Sequence, residues 1–187
     1  MNEKEIIYKC IRNDRLAQKR LYELYATKML GVCIRYVKNA DDAEDVLIEG
    51  FYKVLSSLDQ FKAEGSLEGW IKRIMINESL TFLRKKSKLQ VMDVDINDYH
   101  HPNVVLTDEV NADIKLCADD ILKLLNQLPI GYRTIFNLYI IEGYKHQEIA
   151  DMLGISINTS KSQLIMAKNK MQELLVTISY PSSNKVR

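Results

Sequence analysis

Residues that break regular structure are scarce: the 187 positions hold three prolines and seven glycines. Proline removes a backbone donor and glycine costs entropy inside a helix, so their scarcity leaves long helices free to form. No stretch alternates apolar and polar residues as a half-buried strand does. Histidine is equally sparse, with three in the chain and two of them adjacent, His100 and His101. An enzyme needs convergent acid, base or metal groups in a cleft, and this inventory offers none, so no catalytic residue, cofactor or metal is assigned. The three cysteines, Cys10, Cys33 and Cys117, lie far apart without a CxxC pair. They read as buried small hydrophobes in a reducing compartment; the alternative is a zinc site of Cys117 with His100 and His101. The N-terminus MNEKEIIYKC lacks the basic-then-apolar order of a signal peptide, and the longest apolar runs fall short of a membrane span. A soluble, cytoplasmic protein with no membrane insertion of its own is expected. Hydrophobic residues make up 47% of the chain, which excludes a mainly disordered polypeptide.

Net charge is only +1, yet it is unevenly spread. Residues 1–88 hold 17 basic and 13 acidic side chains, residues 116–187 eight and six, and residues 89–115 one and six. Two mildly basic ends are thus masked by an acidic middle, and it is the local field that decides where a polyanion settles. The middle, LQVMDVDINDYHHPNVVLTDEVNADIK, has weak periodicity and reads as a linker. Its 27 residues reach at most roughly 90 Å, while two turns of DNA span on the order of 70 Å. The expected architecture is all-α: two small helical domains, 1–88 and 116–180, joined by an acidic linker, 89–115, with a tail at 181–187.

Residues 128–171, LPIGYRTIFNLYIIEGYKHQEIADMLGISINTSKSQLIMAKNKM, carry the sharpest local signal. A short helix over 144–152, a turn at Gly154 and a longer helix capped by Ser156 predict a helix-turn-helix. Leu164, Ala167 and Met171 fall on an inward face. The 3.6-residue period then places Asn158, Thr159, Ser162, Ile165 and Asn169 outward, where short polar side chains suit base edges and phosphates. An ordinary helical hairpin with a solvated polar face is the alternative.

Upstream, residues 15–38 predict one long amphipathic helix whose apolar face includes Leu16, Leu21, Leu24, Met29, Val32, Cys33 and Tyr36. Asp41 followed by Glu44 reads as a capping box opening a second helix. Leu47, Phe51, Val54 and Leu58 are its core side; Asp45, Glu49 and Lys53 are its polar side. A third helix, capped by Ser66, carries Leu67, Trp70, Ile71 and Ile74 and ends in the basic run Arg84, Lys85, Lys86, Ser87, Lys88. An acidic helix beside a basic, aromatic-bearing one offers two surfaces to two different partners. The three helices should pack as a bundle.

DAEDVLIEGF, SLEGWIKRIMIN and LRKK resemble region two of the extracytoplasmic-function (ECF) sigma factors of bacterial RNA polymerase. LPIGYRTIF, EGYKHQEIADMLGIS and NTSKSQL resemble their region four, in the family's order and spacing. The resemblance implies an alternative sigma factor that binds core RNA polymerase, directs it to promoter DNA, assists strand opening and is held by an anti-sigma factor. It implies core-polymerase contact by Asp45 and Glu49. It implies minus-ten DNA contact by Trp70, Lys72, Arg73, Asn77, Arg84 and Lys85, with Lys86 and Lys88 also at phosphates. Minus-thirty-five contact falls to Asn158, Thr159, Lys161 and Ser162. Through the linker it implies a path toward the polymerase active centre, where acids imitate phosphates; the alternative is a plain solvated tether.

Departures from the family pattern are specific. Ile48 replaces a common Gln, Met75 a frequent Ala, Thr81 a frequent Asp, Ser160 an inward Val and Met166 a frequent Arg. Lys145 stands where Ser caps a helix, so the capping box with Glu148 should be lost at a cost of about 1 kcal/mol. A stand-alone helix-turn-helix repressor would not need the N-terminal block, and a helical enzyme would need the missing acid–base or metal groups.

Overall fold

The computed structural model of the chain describes residues 2–86 and 118–179. The expected linker, the zinc reading at Cys117, Lys88 and the tail lie outside the described residues. Every described element is helical, and the chain divides into two compact units, Met1–Leu89 and Gln90–Arg187.

The first unit contains α1 (Glu3–Ile11), α2 (Arg15–Val37), α3 (Ala40–Ser56) and α4 (Leu67–Lys85), with a 3-10 turn at Leu58–Gln60. Each helix start has its cap: Asn2, Asp14, Asn39 and Ser66 accept backbone N–H groups through their side chains. The cap of α3 is Asn39, accepting from Asp42 N–H at 2.8 Å, and not the Asp41 box expected. The helix starts two residues earlier because an amide oxygen there reaches the same orphan donors. Helices α2, α3 and α4 pack on one another around Leu21, Met29, Tyr36, Leu47, Phe51, Val54, Leu58, Ile71, Met75 and Leu80. Leu16 and Leu24, expected on the apolar face of α2, are exposed. Cys10 and Cys33 are buried, and burial pushes the Cys33 thiol up to about 11, so it stays protonated and behaves as a small hydrophobe.

Ion pairs tie the bundle at its surface. Lys28 meets Glu68 at 2.9 Å, Lys53 meets Glu78 at 2.6 Å and Lys86 meets Asp42. Lys53, expected on the outer polar side of α3, is therefore a strut to α4.

The second unit contains α5 (Ala118–Leu125), α6 (Ile130–Phe136), α7 (His146–Leu153) and α8 (Ile157–Ser179). A π-turn, Asn137–Ile141, extends α6, with Glu142 N–H donating to Asn137 C=O at 2.9 Å. Leu124, Leu125, Leu128 and Met171 form a core that Tyr132, Phe136, Leu174 and Leu175 cover. Arg133 is buried within this unit, and burial lowers its pKa.

Candidate nucleic-acid interface

On α3 the buried side is Ala43, Val46, Leu47, Gly50, Phe51 and Val54. The opposite side is acidic and apolar at once. Asp45 and Glu49 are exposed, as expected, and between and beyond them stand Ile48, 62% exposed, and Tyr52, 71% exposed. These four fall at i, i+3, i+4 and i+7, one stripe along the helix. Tyr52, which the sequence reading does not name, falls in this stripe by its spacing from Asp45 and Ile48. A tyrosine and an isoleucine in water beside two carboxylates make a surface suited to a protein partner with basic and apolar groups.

On α4, Leu67, Ile71, Met75, Ile76, Ser79, Leu80 and Leu83 face inward. Arg73, Asn77, Arg84 and Lys85 are exposed. At about 100° per residue, Trp70, Arg73, Asn77, Thr81 and Arg84 share one stripe, with Lys85 at its margin. Trp70 is half-buried and packs its ring on Phe61, centroids 5.5 Å apart, which leaves part of the indole facing out. Lys72 does not join them. It is half-buried and lies about 200° around the helix from Trp70. Lys86, expected at phosphates, is engaged by Asp42 and lies over the Phe82 ring at 4.5 Å.

The helix-turn-helix forms where expected. Gly154 adopts φ +69°, and its N–H and that of Ile155 both donate to Ala150 C=O, which closes α7. Ser156 Oγ accepts from Thr159 N–H at 2.9 Å and opens α8. Half of the capping box on α7 survives: Glu148 Oε2 accepts from Lys145 N–H at 2.8 Å. The other half is absent, since an ammonium has no lone pair to offer.

The second helix of the motif, α8, is turned relative to expectation. Thr159 and Ser162 are buried, each 4% exposed, and do not point outward. Thr159 Oγ1 meets Ser156 Oγ at 2.8 Å, and Ser162 Oγ donates to Thr159 C=O at 3.1 Å, so both hydroxyls are consumed by the helix start. Ser160, inward as expected, sits 2.9 Å from His146 Nδ1, and that imidazole stacks on Tyr139 with centroids 4.4 Å apart. Polar side chains thus line the inside of this motif, which is why polarity misled the choice of face. The side that is exposed carries Ile157, Asn158, Lys161, Ile165 and Lys168, all within about 60° of Lys161. Of the residues the period placed outward, Asn158 and Ile165 are exposed and Asn169 is half-buried; Lys161, named through the resemblance, is exposed as well.

Among the described residues no group of three or more His, Cys, Asp or Glu is placed to hold a metal ion. No described helix is long and apolar enough to cross a membrane.

Comparison with known proteins supplies the family. Residues 21–89 match the model of sigma-70 region 2, and residues 118–171 match that of sigma-70 region 4. RNA polymerase sigma factor SigV of Bacillus subtilis is 33% identical over 137 residues, covering 73% of this chain and 78% of that protein. ECF RNA polymerase sigma factor SigW of the same organism is 24% identical over 173 residues, covering 88% and 91%. Among solved structures, the sigma factor RpoE of Bartonella quintana, determined with the anti-sigma factor NepR, is 26% identical. It aligns with a TM-score of 0.52 over 84% of this chain and 95% of its own. Both regions on one chain, and a relative one third identical across most of its length, show that the chain belongs to the ECF subfamily of the sigma-70 family, the alternative sigma factors that direct RNA polymerase to promoters.

Proposed function

We propose a division of labour between the two units. Residues 1–88 dock on core RNA polymerase through the α3 stripe of Asp45, Ile48, Glu49 and Tyr52. The same bundle captures the minus-ten element through the α4 stripe of Trp70, Arg73, Asn77, Arg84 and Lys85. Residues 116–180 anchor farther upstream, at the minus-thirty-five element, through Asn158 and Lys161, and residues 89–115 span the gap. The observation that carries this reading is the pairing of two chemically opposite stripes on one bundle, acidic and apolar on α3, basic and aromatic on α4.

Mechanism follows from binding alone. Arginine and lysine along α4 neutralise backbone phosphates, and the exposed part of Trp70 and the Asn77 amide face bases that leave the stack. Captured unpaired bases offset an unstacking cost of a few kcal/mol. The chain is not an enzyme; the polymerase forms every phosphodiester bond. It works in the cytoplasm, where its polymerase and promoters are. An anti-sigma factor restrains it, a reading supported by the RpoE relative determined with NepR. Gel filtration with purified core polymerase at low salt tests the proposal. The chain should comigrate with the core enzyme, and separate elution removes the docking role of α3.

A further inference from the structure

The exposed face of α8 carries two large apolar side chains among its polar ones. Ile157 is 37% exposed and Ile165 is 40% exposed, and they stand one turn before and one turn after Lys161. Scattered exposed apolar residues are ordinary on any surface. These two are set apart by position: they flank Lys161, the central cation on the exposed face of α8, while Thr159, Ser160, Ser162 and Gln163 are turned inside. β-Branched side chains are also stiff and only moderate helix formers, so exposed isoleucine gains nothing for the helix itself.

A major groove offers a base-edge partner for such a side chain. Its bulky apolar feature is the C5 methyl group of thymine; cytosine offers only a small C5–H at that place, and the remaining edge groups donate or accept hydrogen bonds. Isoleucine can do neither, so against a base it distinguishes presence from absence of that methyl. Resting on the reading of α8 as the DNA-facing helix, we propose that Ile157 and Ile165 read thymine methyl groups in the upstream promoter element, one on each side of the group that Lys161 engages. At about 1.5 Å per residue the two side chains are roughly 12 Å apart along the helix. With base pairs about 3.4 Å apart, the two methyls lie about three to four base pairs from each other. Lys161 then meets a guanine edge or a phosphate between them, and Lys168, farther along the same face, meets the backbone.

The test uses the full chain bound to core polymerase and a random duplex pool, from which an upstream element is selected. Each thymine of that element is then replaced singly by uracil, which removes only the methyl. Uracil at two positions three to four base pairs apart should weaken binding by about three- to five-fold each. Ile157→Ala should lose the sensitivity at one position and Ile165→Ala at the other, while Ile165→Val, which keeps a branched apolar tip, should retain it. Unchanged circular dichroism and unchanged binding to core polymerase establish that the variants are folded. Uracil without effect at every position, or alanine variants as methyl-sensitive as wild type, overturns the assignment and leaves the helix-turn-helix reading standing. Loss of self-association in the alanine variants with methyl discrimination intact also overturns it, in favour of a protein contact. A pool that yields no preferred upstream element overturns both.

Discussion

The thioether of Met75 on α4 lies over Gly50 on α3, in the space that a β-carbon on residue 50 would occupy. Met75 stands where an alanine is frequent in the family pattern, and the absence of a side chain at Gly50 gives it room. The two helices approach closely because bulk on one faces its absence on the other. Since Met75 is fully buried, the thioether has little room to retreat. Gly50→Ala should therefore destabilise by about 1–2 kcal/mol, overpacking exceeding the gain in helix propensity. Met75→Ala leaves a cavity and should cost about 3 kcal/mol. The double variant should be more stable than the sum of the two by at least about 1 kcal/mol. Denaturant unfolding of the four proteins measures this, and simple additivity contradicts the packing account.

Asp45 and Glu49 are exposed on α3 and leave its packing untouched. Replacing both with Lys should leave the thermal midpoint within a degree or two, as for ordinary surface changes. Affinity for core polymerase should fall tenfold or more, because like charges now face the partner. Tyr52→Ala should weaken the same complex without altering its salt dependence, since the ring it removes is uncharged and packs by apolar burial. Wild-type affinity in both variants places the docking face elsewhere.

Thr159 and Ser162 are spent on the start of α8, so they should behave as structural residues. Thr159→Ala and Ser162→Ala are expected to lower stability by about 1 kcal/mol each while leaving sequence preference intact. Asn158→Ala and Lys161→Ala should do the opposite, leaving stability unchanged and weakening upstream DNA binding. Paired melting and DNA-binding titrations separate the two groups. Altered base preference in Thr159→Ala contradicts the inward assignment.

For α2, α3, α4, α7 and α8, helix existence and type were legible in the sequence because period and most caps agree, while α1 and α5 were not read from it. Ser66, Ser156 and Gly154 each do locally what their residue types predict. Faces were legible only where the core is apolar. Around α4 the buried set is aliphatic, and Arg73, Asn77 and Arg84 emerged on the open side as expected. Around α8 the interior includes Thr159, Ser160, Ser162 and Gln163, so reading polarity as exposure turned the outward face by about 70°. The angle of Lys72 was illegible for a related reason: a long charged side chain can run along a half-buried position, and its charge does not report its angle. Pairwise struts such as Lys53 with Glu78, 25 residues apart, leave no periodic trace at all.

His146 sits between the Tyr139 ring and the Ser160 hydroxyl. Burial, and then the positive charges of Lys161 and Lys168, push its pKa below the ordinary 6.5. Above that pH the imidazole is neutral in both folded and unfolded chains and stability does not depend on it. As pH falls below 6.5 the unfolded chain takes up a proton that the folded one resists, so the second unit loses stability. His146→Gln keeps a partner for Ser160 without the titration. The fall in melting temperature of the second unit between pH 7 and pH 5 should be smaller in this variant than in wild type. Identical pH dependence contradicts the assignment.

Run-off transcription from candidate promoters, with purified bacterial core polymerase in the presence and absence of this chain, bears most directly on the proposed division of labour. A promoter-specific transcript should appear only with the chain present. It should fall at least tenfold, at core concentrations below saturation, with the Asp45→Lys, Glu49→Lys double variant, which joins the core enzyme more weakly, and should weaken with Lys161→Ala, which joins the core normally but grips upstream DNA less firmly. A transcript that is unchanged when the α3 stripe is reversed, or a Lys161→Ala protein that no longer joins the core enzyme, would contradict it.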